Sequence, residues 1–290
     1  MKNTAIKQAA KPFAMPEEQY RAIDAVSSTD LRMLSVNPRK LWLYKQGKAP
    51  VSNAMLEGTM FHCAILEPEK FMDLYVVEPD SLPDGTVAGV GEGKINRNTK
   101  IWKDFISQWR DKNQARIQVS PDEFNVLRKM MTAVHSNKVA NELLKTHEKE
   151  LVALWNDPET GEKCKGRADL IGHSLVDFKS TTCESPREFE NECYRRSVHS
   201  QLAFYDTGFS LNGCEFSSHF VIGVEKSKEK SETSCFVMQV EENLLERGRE
   251  RNKRLMDLYQ KCKQKNDWPG FESVYSLGIP SWALVDLEGE

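Results

Sequence analysis

The sequence predicts an α/β fold: a small mixed central sheet with an antiparallel meander at its heart, flanked by helices on both faces. Three observations carry this. Between residues 150 and 180 the apolar pattern changes from a period near 3.6 to a period of 2, punctuated by turn residues at 157–161 and 172–173. Helical patterns bound that stretch on either side. A chain of 290 residues with 39% hydrophobic content can bury about three-quarters of its unfolded surface, so it needs no disulfide or metal staple to fold.

The elements follow in chain order. Residues 1–20 read as an N-terminal arm, its first dozen residues loose. A short helix is expected after Ser27-Ser28, with Leu31, Leu34 and Leu41 apolar and Pro38 interrupting. Residues 53–66 read as a helix ended by Glu67-Pro68. Met55, Gly58, His62, Ile65 and Leu66 fall on one stripe of it, so the histidine points where the apolar side chains point. Residues 78–99, rich in glycine and proline, form a long loop. Its Gly89-Val-Gly-Glu-Gly93 run is not a phosphate cradle, which needs a strand before it and a helix opening directly after. Asn96-Arg97-Asn98-Thr99 intervene.

Ser120-Pro121-Asp122-Glu123 combines an N-cap, a first-turn proline and a capping box, and predicts a helix to about Lys145. Strands over 150–155, 163–171 and 175–180 form the meander. Helical patterns open at Ser185-Pro186 and run over 197–211, stopped by Asn212-Gly213. Strands at 216–224 and 233–240 and a basic helix at 243–265 follow, then a tail containing tryptophan and proline. The organisation expected is an arm (1–20), a helical region with the long loop (21–118), a core (119–242), and a basic helix with tail (243–290).

No apolar run approaches the ~18 residues of a membrane span, and the N-terminal residues lack an apolar signal core, so a cytoplasmic protein is expected. Seven cysteines without a CxxC pair point to reduced thiols rather than disulfides or a zinc ribbon. The net charge of -3 argues against a passive nucleic-acid coat. Yet residues 1–50 hold nine Lys/Arg against four Asp/Glu, and residues 241–266 hold eight against five. Basic ends around an acidic middle suit a carboxylate-rich site with surfaces that grip a polyanion, or ordinary solvated helix faces; charge alone favours the second.

The chemistry concentrates on the meander. Asp177 and Lys179, two apart on one strand, leave it by the same face, while Val176 and Phe178 point into the core. Asp169 lies across a tight hairpin, and Glu150 on the strand before. Three carboxylates and a lysine thus converge, and such like charges come together at a cost of several kcal/mol unless a cation lies between them. All-oxygen ligation suits Mg²⁺ or Mn²⁺, and a lysine beside the metal can position or deprotonate a water that attacks phosphate.

Arg167-Ala-Asp169 followed by Val176-Asp177-Phe178-Lys179-Ser-Thr-Thr182 resembles the PD-(D/E)XK nuclease signature, and in particular the RecE (exonuclease VIII) type, whose second acidic residue is aspartate. Gly58 to Pro68, Glu150 to Gly161 and Gln201-Leu-Ala-Phe-Tyr205 resemble further segments of that family, and the likeness spans about residues 25–240. The resemblance implies a PD-(D/E)XK, restriction-endonuclease-like core. It implies that Asp169 and Asp177 ligate the metal, that Lys179 handles the nucleophilic water, and that Glu150 is an outer or second-metal ligand. His62 would ligate the metal or contact phosphate near it. Gln201 and Tyr205 would brace the site or touch a DNA strand, and Thr181 would bond phosphate or simply follow the strand end.

The activity implied is a Mg²⁺-dependent (Mn²⁺ substituting) 5′→3′ exodeoxyribonuclease of phage or prophage recombination. It would act on double-stranded DNA ends and leave 3′ tails for annealing. A ring-like homo-oligomer and a single-strand annealing protein as partner go with it, with residues 21–48 or 247–265 lining the ring. The alternatives are a structure-specific endonuclease of the same fold and a non-catalytic DNA-binding recombination scaffold. His135, His147, His173, His199 and His219 have no comparable context, and Trp102, Trp109 and Trp155 read as core.

Overall fold

The structure is a computed structural model that describes residues 11–48, 53–271, 273, 274, 277 and 278. In chain order its elements are β1 (Phe13–Ala14), α1 (Glu17–Ala22), α2 (Ser28–Leu34), α3 (Pro38–Lys45), α4 (Asn53–Leu66), α5 (Pro68–Leu74), β2 (Tyr75–Val77), α6 (Lys100–Lys112), β3 (Ile117–Val119), α7 (Pro121–Ser136), α8 (Lys138–Thr146), β4 (Glu148–Asn156), β5 (Lys163–Ile171), β6 (Ser174–Thr181), α9 (Pro186–Arg195), α10 (Val198–Leu211), β7 (Ser218–Glu225), β8 (Cys235–Gln239) and α11 (Glu242–Lys265).

Six strands form one sheet in the order β1-β4-β5-β6-β7-β8, and β2 and β3 form a separate parallel pair. The β4-β5-β6 meander is antiparallel as expected. β7 then returns parallel to β6 through the crossover of α9 and α10, which makes β6 a central strand. Each face of the sheet carries its own core. On one side Leu31, Leu34, Leu41, Leu202, Phe209, Leu245 and Met256 bring α2, α3, α10 and α11 onto the strands. On the other, Phe61, Ile65, Leu127, Val134 and Leu143 bring α4, α7 and α8 onto Leu170, Val176 and Phe178. Burial on both faces explains why 175–178 reads as a nearly continuous apolar run broken by one aspartate.

The structure divides two helices that the periodicity joins. The pattern over 120–145 breaks at Asn137, which leaves helical geometry (ψ 114°) and accepts the amides of Val139 and Ala140, both at 3.1 Å. Its Nδ2 donates to the Cys235 carbonyl on β8 at 3.2 Å, so a cap and a tertiary bond outweigh continuation. Asn37 likewise caps α3 ahead of Pro38. The stripe on α4 is also narrower than expected, because Met55 is 47% exposed while Ile65 and Leu66 are buried.

Beyond its first dozen residues the arm forms β1 and enters α1, and β1 pairs through Phe13 and Ala14 with Val152 and Leu151. The expectation for residues 1–10 lies outside the described residues. No helix among the described residues is long and apolar enough to cross a membrane.

The basic helix α11 packs along α10. They approach so closely at Gly248 that a β-carbon there would stand 2.5 Å from the His199 carbonyl oxygen. Three of its eight basic side chains are engaged: Lys253 pairs with Glu159, Lys263 with Glu162, and Arg249 with Asp206 and Glu242. Asp206 on α10 joins three elements, with its Oδ1 2.9 Å from His219 Nε2 on β7 and its Oδ2 accepting from Arg249 Nη2 at 3.0 Å.

Burial opposes the charge on Asp206, but the bonds to His219 and Arg249 outweigh it and hold the carboxyl below its usual 3.8. A depressed carboxylate stabilises the fold above its ordinary pKa and stops doing so as the pH falls through its native value. Asp206→Asn is therefore expected to lower the unfolding free energy by about 1–2 kcal/mol at pH 7. The deficit should shrink below pH 4 when read by urea unfolding across the pH range.

Candidate active site and metal centre

The site opens where two strands separate. β5 and β6 pair only at Leu170–Val176 and Ile171–Leu175, next to their hairpin. The next pair in that register would be Asp169 with Asp177. Instead the strands part, and the Asp169 carboxylate takes the place of a ladder bond, its Oδ2 accepting the Phe178 amide at 2.6 Å. Two aspartates are thereby held side by side on a rigid scaffold. Val176 and Phe178, fully buried on the opposite face, anchor β6 so that Asp177 and Lys179 must point this way.

Asp177 is 2% exposed. Its Oδ1 accepts from Gln201 Nε2 of α10 at 2.8 Å, and its Oδ2 forms an ion pair with the Lys179 ammonium. That Oδ2 is buried and has no aligned hydrogen-bond donor. Gln201 also lies 3.5 Å from the Tyr205 hydroxyl, which accepts from Ser28 Oγ at 3.2 Å at the start of α2. Gln201 and Tyr205, one turn apart on α10, thus connect Asp177 to the start of α2.

Thr181 ends β6 with its hydroxyl bonded inside the fold. It is buried, and its hydroxyl donates to Glu192 of α9 at 2.7 Å while accepting the Cys183 amide. These bonds tie the end of β6 to α9.

His62 enters from α4, with Nδ1 3.4 Å from Asp169 Oδ1. The helix is seated by Phe61, whose ring meets Phe178 edge-on at 6.3 Å. Glu150 reaches the site by an unusual backbone. It stands opposite Asp169 between the registered pairs Lys149–Leu170 and Leu151–Ala168, yet adopts φ +56°. Left-handed geometry costs a residue other than glycine about 1–2 kcal/mol, and strain of this kind concentrates where function requires it.

His62, Glu150 and Asp169 each offer a ligand atom within 4.8 Å of the others. Asp177, expected as a direct ligand, stands next to this cluster with both oxygens turned to Lys179 and Gln201.

Electrostatics follow from the crowding. Burial pushes Glu150 up to about 8, with the Asp169 charge adding in the same direction. Burial likewise raises Asp177, where Lys179 offsets only part of the effect and Asp169 adds to it. Burial opposes ionisation of Asp169 too, but His62 and Lys179 outweigh it and hold this carboxyl below the usual range. His62 is the counterpart: burial lowers its basicity, and Asp169 more than restores it. Buried carboxylates that resist ionising together are what a divalent cation relieves. A nitrogen and carboxylate oxygens within 4.8 Å of one another fit such an ion.

The sequence reading assigned no role to Arg167, although it lies two residues before Asp169 and so shares its face of β5. Its guanidinium meets Glu150, Glu17 and Glu67. The strand parity could have revealed the arginine. Nothing local could have revealed Glu17, which is 150 residues away in the chain.

Among solved structures, the chain is similar to a protein from Eubacterium rectale described as a "putative exonuclease". The identity is 13% and the TM-score 0.59, over 96% of this chain and 99% of that one. It also matches a phage-related exonuclease from Haemophilus somnus 129PT at 12% identity and a TM-score of 0.36, over 84% of this chain and 96% of the other. The first likeness shows a shared fold. No curated protein matches. The family described as PDDEXK-like domain of unknown function (DUF3799) matches residues 27–273, a span that holds β2 to β8 and every side chain of the His62, Glu150, Asp169, Asp177 and Lys179 cluster, and the chain belongs to that family.

Proposed function

We propose that this protein is a metal-dependent exodeoxyribonuclease of the RecE type, which degrades double-stranded DNA from its 5′ ends and leaves 3′ single-stranded tails for annealing. The observation that carries the reading is the His62, Glu150 and Asp169 donor cluster directly beside the Asp177–Lys179 pair. The E. rectale protein of the same fold, described as a "putative exonuclease", supports the reaction class.

A divalent cation held by His62, Glu150 and Asp169, Mg²⁺ or Mn²⁺, supplies Lewis acidity toward a phosphodiester oxygen and neutralises charge. The remaining work belongs to the chain. Asp177, fixed by Gln201, keeps the Lys179 ammonium at the site, where it orients the attacking water and offsets charge developing on phosphorus. Asp169, locked by the Phe178 amide, keeps its position as substrate enters. The same reading includes a ring-like homo-oligomer around DNA and a single-strand annealing protein as partner.

The test compares linear duplex labelled at the 5′ or the 3′ end with covalently closed circles, in Mg²⁺, Mn²⁺ or EDTA. Early release of the 5′ label as mononucleotide, with circles spared and EDTA inhibitory, is the expected result. Cleavage of circles would replace the exonuclease with an endonuclease of the same fold. Survival of all substrates in both metals would leave a non-catalytic DNA-binding scaffold.

A further inference from the structure

We propose that Arg167 is a positioning residue that aims the Glu150 carboxylate at the cation donors, and that helix α1 belongs to the machinery because Glu17 holds Arg167 in place. The inference rests on the metal reading of the site given above. Arg167 is on β5 two residues before Asp169, with its side chain 13% exposed. Its Nε lies against Glu150 Oε2 as a charge contact without an aligned hydrogen bond, its Nη1 donates to Glu17, and its Nη2 donates to Glu67 Oε2 at 3.4 Å. Glu67 is also bonded by Lys70, and Glu17 by Arg21 at 2.5 Å.

One planar guanidinium thus gathers carboxylates from α1, β4 and the junction of α4 with α5, which its fixed fork of donors can do and a lysine's single ammonium cannot. Glu150 needs such a guide. It stands in left-handed backbone geometry opposite Asp169 and has the Glu67 carboxylate nearby, so repulsion alone would turn its side chain away from the cluster. With Oε2 engaged by Arg167, the other oxygen is left for the cation.

Helix α1 is fastened to the same strand at both ends. Lys165, two residues before Arg167, donates its Nζ to the carbonyls of Tyr20, Arg21 and Ile23 at 3.0, 3.3 and 2.7 Å. Glu17 at the helix start meets Arg167. Neighbouring residues of one face of β5 therefore set α1 against the sheet, and α1 in turn fixes the arginine.

The sign of the effect separates positioning from plain electrostatics. Removing a positive charge beside a cation site should by itself tighten cation binding. Removing the group that aims a ligand should weaken it, by roughly 10–100-fold for partners of this kind. Mn²⁺ binding measured calorimetrically on the full chain, without DNA, reads this directly.

Arg167→Gln is expected to weaken binding about tenfold or more, and Arg167→Lys, which keeps the charge and loses the fork, to weaken it as well. Glu17→Gln, on the exposed side of the network, should weaken it less and leave thermal unfolding of the metal-free protein near wild type. The Arg167→Gln/Glu150→Gln double variant should bind no more weakly than Glu150→Gln alone, since the arginine acts through that carboxylate. Unchanged or tighter Mn²⁺ binding by Arg167→Gln, or additive losses in the double variant, overturns the proposal while wild-type binding leaves the metal reading intact. Failure of the wild type to bind Mn²⁺ removes the metal reading and this proposal together.

Discussion

Lys179→Met is expected to lower the rate of DNA hydrolysis by about 10³-fold while leaving the fold and Mn²⁺ binding in place. The magnitude is that of removing one preorganised charge or proton-handling group from a site shielded from water, about 10²–10⁴ in rate. Methionine matches the aliphatic stem of lysine, and the backbone register of residue 179 with Gly223 of β7 does not depend on the side chain. What is lost is the ammonium on Asp177 Oδ2, a buried oxygen with no aligned hydrogen-bond donor. Because that loss removes positive charge, Mn²⁺ should bind as tightly as before or more tightly. Single-turnover cleavage of end-labelled duplex, with Mn²⁺ titrated in parallel, separates the two effects. A variant within a few-fold of wild type would exclude Lys179 from the chemical step, and weaker metal binding would mean that it acts by shaping the cluster.

How far the sequence revealed this site depends on how local each feature is. Strand parity alone places Asp177 and Lys179 on one face, and the hairpin places Asp169 opposite them. Those inferences need only a few residues of context, and the structure realises them. The i, i+4 spacing of Gln201 and Tyr205 likewise survives as a shared brace on Asp177, although its second support, Ser28, is not visible from that helix. His62 lay on an apolar stripe, where a core histidine is the ordinary outcome, and only the tertiary approach of α4 to β6 carries it to Asp169.

The features missed all require knowledge of distant partners. Asn137 ends α7 because a carbonyl on β8 awaits its amide, a reason absent from the helical pattern. Glu150 has left-handed geometry that no propensity for glutamate suggests. Thr181 has the parity of a site residue but points to Glu192, since α9 packs beneath the strand end. On the basic run of α11, Arg249, Lys253 and Lys263 are paired with carboxylates of the same chain. Charge counts along a sequence do not show which charges are already neutralised.

Mn²⁺ at about 100 times its dissociation constant is expected to stabilise the protein by about 2.7 kcal/mol, because an ion that binds only the folded state shifts unfolding by mass action. For a chain of this size that corresponds to roughly 4–5 °C in the thermal midpoint. The gain should be specific to the cluster. In the metal-free protein, His62 and the Phe178 amide already satisfy Asp169, whereas Glu150 and Asp177 are held with raised carboxyl pKa values by burial and by the Asp169 charge. Asp169→Asn keeps an oxygen for the Phe178 amide and removes the charge that repels both neighbours, so the metal-free variant should unfold within a few degrees of wild type. It also removes the central ligand, so its midpoint should no longer respond to Mn²⁺. Thermal unfolding of the two proteins with and without Mn²⁺ checks both statements. A response in Asp169→Asn as large as in wild type would place the ion elsewhere on the molecule. A wild-type midpoint unmoved by Mn²⁺ would mean that the carboxylates are brought together for a reason other than metal binding. The expected pattern, stabilisation lost with one charge while the metal-free fold persists, would identify the crowding of Glu150, Asp169 and Asp177 as the energetic counterpart of a site built for a cation.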